Sequence, residues 1–391
     1  MDTPKQIIHG IPSFATRNYY WGVIPQAEMA KAVNSMEVEG FDVVDARMWL
    51  NTKNNLYTHE WDRSDFLYML PLSLTDRVLD VGSGYGTNAI PIAAYVKEVV
   101  AVDASIELLR YVHHRSRAMG RENVTCVHTD PFGTSPFPFE DSSFDVVVVS
   151  GILEWTPMGN PKKNPVEIQQ AALKEVTRVL KPGGTMILVI ENRWFFGFLQ
   201  RDPHTKTPWV CWLPRQMANI VAKRQGLIDG YLPYIYGEDG TSQLLGSAGL
   251  SVISIFATHP NYRTPRFVYP SQSAMDRLLF RFGYGKRFFT KKWFMILQIW
   301  SFLFRSSKLI AGFWLVARSM GGDEQLESLL ERLCREVDHP MPPGTLFWKE
   351  VNVLEDTITR YCAQTVSGDF FEIRIPRHAK GSITVTKILS I

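Results

Sequence analysis

The sequence predicts an α/β fold built on a doubly wound parallel sheet, and three stretches carry that reading. In RVLDVGSGYGTNAIPIAAYVKEVVAVDAS, residues 77–105, the apolar run Val78–Val81 ends in glycines at 82, 84 and 86. An apolar-rich segment follows, and a second apolar run, Val99–Val102, ends in Asp103. That is one strand–turn–helix–strand unit. FDVVVVSGI, Phe144 to Ile152, holds four consecutive valines, the pattern of a strand buried on both faces. A helical period over residues 165–180 then passes through LKPGG into a further apolar run, TMILVIEN.

Bulk properties frame the rest. A chain of 391 residues suggests two or three domain-sized units. With 45% hydrophobic and 21% charged residues it has ample material for a core. A net charge of +3 is too small to argue for nucleic acid as an overall partner. Cys126, Cys211, Cys334 and Cys362 are scattered, with no C-x-x-C pair and no histidine cluster beside them. That argues against a zinc site and a disulfide framework and fits a reducing compartment. MDTPKQIIHGIP lacks a basic region followed by an apolar stretch, so the expected location is cytoplasmic.

The glycine turn narrows the chemistry. Glycines there let the backbone bend sharply and let a ligand approach without meeting a Cβ. Asp103 lies about 20 residues past the first glycine, where a carboxylate takes the ribose hydroxyls of a nucleoside. A dinucleotide site wants G-x-G-x-x-G, but position 87 is Thr and the third glycine comes one residue early. Asp80, two residues before the turn, would repel a pyrophosphate and welcome a cationic amino-acid group. S-adenosylmethionine has an α-amino group, a sulfonium and no phosphate. Charge therefore selects it.

At D-V-G-S-G-Y-G the chain resembles the class I S-adenosylmethionine-dependent methyltransferases of type 11, whose first motif has the form [DE]-x-G-x-G-x-G. The helix, L-K-P-G-G and strand that follow are a second marker of that superfamily. The resemblance implies a doubly wound seven-stranded sheet, with Asp80, Gly82, Ser83, Gly84, Gly86, Asp103 and Ala104 around the cofactor. It also implies an N-terminal helical cap (1–70), in which the aromatics Tyr19, Trp21, Trp49, Tyr57 and Trp61 either enclose the site or pack on the sheet. His59, in TKNNLYTHEWDR, is a candidate substrate-side base.

Beyond Asp103, Ser105 caps a helix ending near Gly120, with His113 and His114 on its solvated face. NVTCVHTD is the third strand, and Asp130 at its tip is the carboxylate that the resemblance assigns to the adenine amine, a donor meeting an acceptor-only group. Ligands in open parallel sheets sit outside the carboxyl ends of the strands, so Ser150, Gly151 and LEWTP face the cofactor or the acceptor. Glu154 is a candidate general base there. LSVISIF (250–256) and AGFWLVARS (311–319) are the sixth and seventh strands, an antiparallel closing pair by resemblance.

Two insertions interrupt the methyltransferase domain, taken as residues 71–319. The first, 193–238, hangs from the ligand-facing edge of the sheet, and insertions of that length are usually functional. ENRWFFGFLQRDPHT resembles, more loosely, a stretch of methyltransferases from glycan and secondary-metabolite pathways. Glu191, Asn192, Arg193 and His204 are expected on the acceptor side, with His204 the preferred proton acceptor. The second insertion, 257–310, contains residues 275–308, where eight basic side chains face Asp276 alone and aromatics interleave. It reads first as a cap or oligomer contact, then as an interfacial helix on an anionic membrane, and last as a nucleic-acid patch. The run Trp293–Phe304 is too short to span a bilayer.

The tail, 320–391, holds an amphipathic helix (DEQLESLLERLCREV) and two or three alternating strands, an accessory β-rich element. The expected activity is metal-independent methyl transfer to oxygen, nitrogen or carbon of a small-molecule, glycan or lipid-linked acceptor. Its rivals are a non-catalytic S-adenosylmethionine-binding scaffold and an NAD(P)-dependent oxidoreductase.

Overall fold

The computed structural model describes residues 2–49, 61–130, 136–199, 202, 204, 206–226, 230–259, 261–271, 310–321, 327–343, 345–350, 358–376 and 383–389. His59 and the basic stretch 275–308 lie outside them. The first seven strands are β1 (Gln6–Ile8), β2 (Ile11–Ser13), β3 (Arg77–Val81), β4 (Glu98–Asp103), β5 (Val124–His128), β6 (Phe144–Ser150) and β7 (Leu180–Glu191). Then come β8 (Leu250–His259), β9 (Phe267–Pro270), β10 (Gly312–Ser319), β11 (Leu346–Glu350), β12 (Ile358–Gln364), β13 (Phe370–Pro376) and β14 (Thr384–Leu389).

The doubly wound α/β core is present, and the sheet is wider than the seven strands expected. Its order is β1-β2-β5-β4-β3-β6-β7-β10-β8-β9-β11-β12-β13-β14, a single sheet of fourteen described strands. From β5 through β7 neighbouring strands run parallel. β10 then pairs antiparallel with both β7 and β8. Strand order reverses between β3 and β6, so the crevice outside their carboxyl ends is the place for a ligand. Asp80, Asp103, His128, Ser150 and Glu191 all sit at or near that edge.

Local chemistry explains the elements. Ser105 caps the helix Ile106–Ala118 by accepting from the Leu108 amide, and the helix Pro165–Val179 begins with an Asn164 cap and a proline in its first turn. The valines of β6 meet helices on both faces, so they sit in two separate buried clusters. LKPGG does not merely close a helix: pairing of β7 with β6 already begins at Leu180. His113 and His114 are half-buried rather than solvated.

The tail also differs from the sequence reading. It has four strands among the described residues, and they are no separate layer. β9, from inside the second insertion, pairs with β8 and with β11, so the tail continues the main sheet. The helix Leu329–Glu336, capped by a Ser328/Glu331 capping box, docks under the segment before β3, where the Leu329 amide donates to the Leu70 carbonyl. Nearby, Lys349 Nζ and Asp65 Oδ2 are 2.6 Å apart and both side chains are buried.

A buried charge pair is costly to break from one side, because the remaining charge keeps no partner. Lys349→Met is therefore expected to lower unfolding stability by about 3–5 kcal/mol in urea titrations. Arg47→Met, which breaks the exposed Arg47–Glu39 pair, should leave the midpoint unchanged. Equal effects of the two substitutions would contradict this placement of the tail.

Candidate active site

A cavity of about 380 Å³ opens over the glycine turn. Its floor is Gly82, Ser83 and Gly84 from the turn after β3, Asp103 and Ala104 from the end of β4, and Ser150, Gly151 and Ile152 from the end of β6. Tyr19, Trp21, Trp155 and Met158 wall it, and Arg63 and Arg263 bring two cations to it. The turn depends on glycine at position 82, which has φ +72° and where an added Cβ would lie 2.9 Å from Ile152 Cγ1.

Asp103 is fixed by the turn it serves. Its Oδ2 accepts from the Gly84 amide at 2.9 Å and its Oδ1 from the Ser105 amide at 2.9 Å. Each carboxylate oxygen has a second lone pair left for a ligand hydroxyl. Burial pushes its carboxyl up to about 6, with the amides pulling the other way.

Asp80 is fully buried and lies one layer below, not on the cavity wall. No hydrogen bond of normal geometry reaches either of its oxygens among the described residues. Burial pushes its carboxyl up to about 7; Arg63 is the main group favouring its charge, followed by the Ala89 amide. The hydroxyls of Ser83 and Ser150 and the Asn88 carbonyl oxygen, all on the wall, are buried and unpartnered too. Unpaired buried polar atoms are rare, and four such residues around one cavity fit a polar ligand with donor groups.

The N-terminal segment covers this floor. The Tyr19 amide donates to the Ala104 carbonyl at 2.8 Å, and the Val23 amide to the Tyr85 hydroxyl at 2.9 Å. Trp21 stacks parallel to Tyr19, and its ring lies 5.0 Å from that of Trp155. Beneath, Asp45 receives the Tyr111 hydroxyl and the Trp49 indole, Gln26 donates to Glu107 and Arg110 to Glu37, so the helices Gln26–Glu39 and Phe41–Trp49 are tied to the helix after β4. These rings therefore do both things the sequence allowed: Tyr19 and Trp21 enclose, Trp49 packs.

Other expected site residues stand elsewhere. Gly86 packs its turn against Ile90 and Val112. Asp130 is buried beyond β5 and does not border the cavity. Its neighbour His128 bridges the Ser13 hydroxyl and the Ala104 carbonyl. Glu191, Asn192, Arg193 and His204 do not border it either. Asn192 donates to the Ile310 carbonyl at the end of the second insertion, and Arg193 donates to the carbonyls of Cys211 and Leu213 inside the first.

His204 pairs through Nε2 with Glu191 Oε2 at 3.1 Å, with Asp202 beyond its other nitrogen. Burial opposes its charge, but Glu191 and then Asp202 outweigh that and lift it to about 10. An imidazolium held this tightly does not suit the proton acceptor expected from the sequence. Glu154 differs: burial and the Glu191 carboxylate push it up to about 7, and it too does not border the cavity. It is completely enclosed, and Tyr262, whose hydroxyl lies 3.5 Å from Glu154 Oε1, receives Arg263 Nε at 2.8 Å. Arg263 borders the cavity. Arg63, Tyr262 and Arg263 escaped the sequence reading; nothing in their local spacing distinguishes them from surface residues.

Because the folded chain holds the Asp80 proton more tightly than the unfolded chain does, this group lowers stability as pH rises from about 4 to 7. Asp80→Asn is expected to stabilise the unliganded protein at pH 8 by about 1–3 kcal/mol, and to have little effect at pH 4. Thermal melts at the two pH values check this; destabilisation at pH 8 would contradict it.

Residues 79–188 match the family described as a methyltransferase domain. The demethylmenaquinone methyltransferase of Clavibacter sepedonicus is 37% identical over 113 residues, which is 29% of this chain and 40% of that protein. That of Renibacterium salmoninarum is 35% identical over 121 residues, 31% of this chain and 44% of its own. The uncharacterized methyltransferase YcgJ of Bacillus subtilis is 33% identical over 114 residues, 29% and 40% of the two chains. The chain thus spans less than half the length of these relatives. Over residues 79–188 the chain is thus similar to the methyltransferase domains of the class I superfamily, whose cofactor is S-adenosyl-L-methionine.

Proposed function

We propose that this protein transfers a methyl group from S-adenosylmethionine to a small-molecule, glycan or lipid-linked acceptor, without a metal. The observation that carries the reading is the set of buried polar atoms without a hydrogen-bond partner among the described residues: Ser83, Asn88 and Ser150 on the wall and Asp80 below it. A zwitterionic amino-acid end with a cationic sulfur complements them. Asp103 holds the ribose hydroxyls, and Asp130 remains the proposed partner of the adenine amine. Arg63 meets the methionine carboxylate while Asp80 favours the ammonium through the turn.

When bound, the cofactor supplies a methyl already activated on a sulfonium. The chain's own work is then to align the acceptor and exclude water. Tyr19, Trp21 and Trp155 close the cavity from above. Where the acceptor is a hydroxyl, Glu154 is the group with a proton affinity matched to neutral pH, and Tyr262 connects it to Arg263 on the wall. The dinucleotide alternative is not favoured, since the third glycine is one residue early and Asp80 lies under the turn.

Titration with S-adenosylhomocysteine and, separately, NADH tests the cofactor. Asp103→Ala is expected to weaken S-adenosylhomocysteine about 100-fold, by removing a charged pair of hydrogen bonds. Unchanged affinity would refute its ribose role. Transfer of labelled methyl into a fractionated extract reads the acceptor, and a protein that binds the cofactor but labels nothing favours the scaffold alternative.

A further inference from the structure

The wall that carries Arg63 is gripped by the far end of the chain. Arg63 lies on the 3-10 helix Trp61–Met69, and two residues further on Asp65 is buried. Asp65 Oδ2 accepts from Lys349 Nζ at 2.6 Å, Oδ1 accepts from the Thr359 hydroxyl at 3.2 Å, and its backbone carbonyl accepts from the Tyr361 hydroxyl at 2.7 Å. Lys349 is on β11, Thr359 and Tyr361 are on β12, and all three are fully buried. None of them borders the cavity.

A 3-10 helix has poor hydrogen-bond geometry of its own and seldom persists beyond a turn without outside partners. This one runs for nine residues. Apolar packing against the tail already exists, with Tyr68 edge-on to Tyr361 at 5.7 Å. Apolar packing alone would hold such a helix at lower cost than a buried ion pair. What the pair and its two hydrogen bonds add is direction: they fix both the side chain and the backbone of Asp65, and so the rotation of the helix that aims Arg63.

We propose that Lys349, with Thr359 and Tyr361, positions Arg63 for the carboxylate of the methyl donor, so that the C-terminal strands complete the cofactor site. The proposal rests on the methyl-donor reading for the identity of the ligand. It makes Lys349 a positioning residue, acting through Asp65.

Calorimetric titration with S-adenosylhomocysteine tests it on the full chain. Asp65→Asn with Lys349→Met removes both charges together, and Thr359→Val removes one hydrogen bond while leaving the ion pair. Affinity is expected to fall about 10-fold in the double variant and about 3-fold in Thr359→Val, with cooperative unfolding retained. Neither change should weaken binding further once Arg63→Ala is present, because both act through that arginine. A folded variant with wild-type affinity, or losses that add fully to Arg63→Ala, would overturn the proposal. Should the double variant not fold, Thr359→Val decides alone. If the wild-type chain does not take S-adenosylhomocysteine, the methyl-donor reading fails. The positioning claim is then read by amide exchange over residues 61–69, expected to quicken in Thr359→Val and overturned by unchanged rates.

Discussion

A carboxylate buried under a glycine turn, with no hydrogen bond of normal geometry to either oxygen among the described residues, is the constraint around which this molecule is arranged. Asp80 is placed there by β3, the strand at the point where the sheet order reverses. Its charged form is costly to the unliganded fold, since burial raises its carboxyl to about 7 and Arg63 and the Ala89 amide only partly offset that. The neighbouring carboxylate, Asp103, avoids that fate by accepting two backbone amides. One acid is thus tied to the turn and keeps spare lone pairs for hydroxyls. The other is left as a negative potential beneath it. Phosphates are poorly served by that arrangement, and an ammonium or sulfonium is well served.

The rest of the structure builds walls around that floor from segments far apart in the chain. The N-terminal segment is pinned by the Ala104 carbonyl and the Tyr85 hydroxyl, and brings Tyr19 and Trp21. The helix Trp61–Met69 brings Arg63 and is clasped by the tail. The second insertion brings Tyr262 and Arg263. A sheet that continues from β8 through β9 into β11 lets these distant parts share one rigid frame. The first insertion contributes differently. Its His204 and Asp202 form a buried charged knot with Glu191 at the end of β7; the Glu191 carboxylate raises the proton affinity of Glu154 and the His204 charge opposes that.

The sequence made the floor legible because the floor is local. The spacing of Gly82, Gly84 and Gly86, with acids at 80 and 103, lies within 24 residues of chain. The walls were not legible, because Arg63, Tyr262 and Arg263 acquire meaning only from tertiary neighbours. His204 shows a second limit: its residue type was noticed, but its protonation depends on Glu191 and Asp202, and only their distances reveal it. The tail shows a third. Its alternating pattern announced strands, yet the partner strand β9 is four residues inside an insertion, too short to stand out. Lys349 and Asp65 are 284 positions apart, beyond any local pattern.

Proton release on ligand binding tests the central claim most directly. With Asp80 pushed up to about 7, a cationic ligand above it should drive it to its charged form. S-adenosylmethionine titrated at pH 7 in buffers of differing ionisation enthalpy should release up to about half a proton, by linkage. That release should fade at pH 9 and be absent in Asp80→Asn. Binding without proton release at pH 7, or release that survives the Asp80 substitution, would contradict the account.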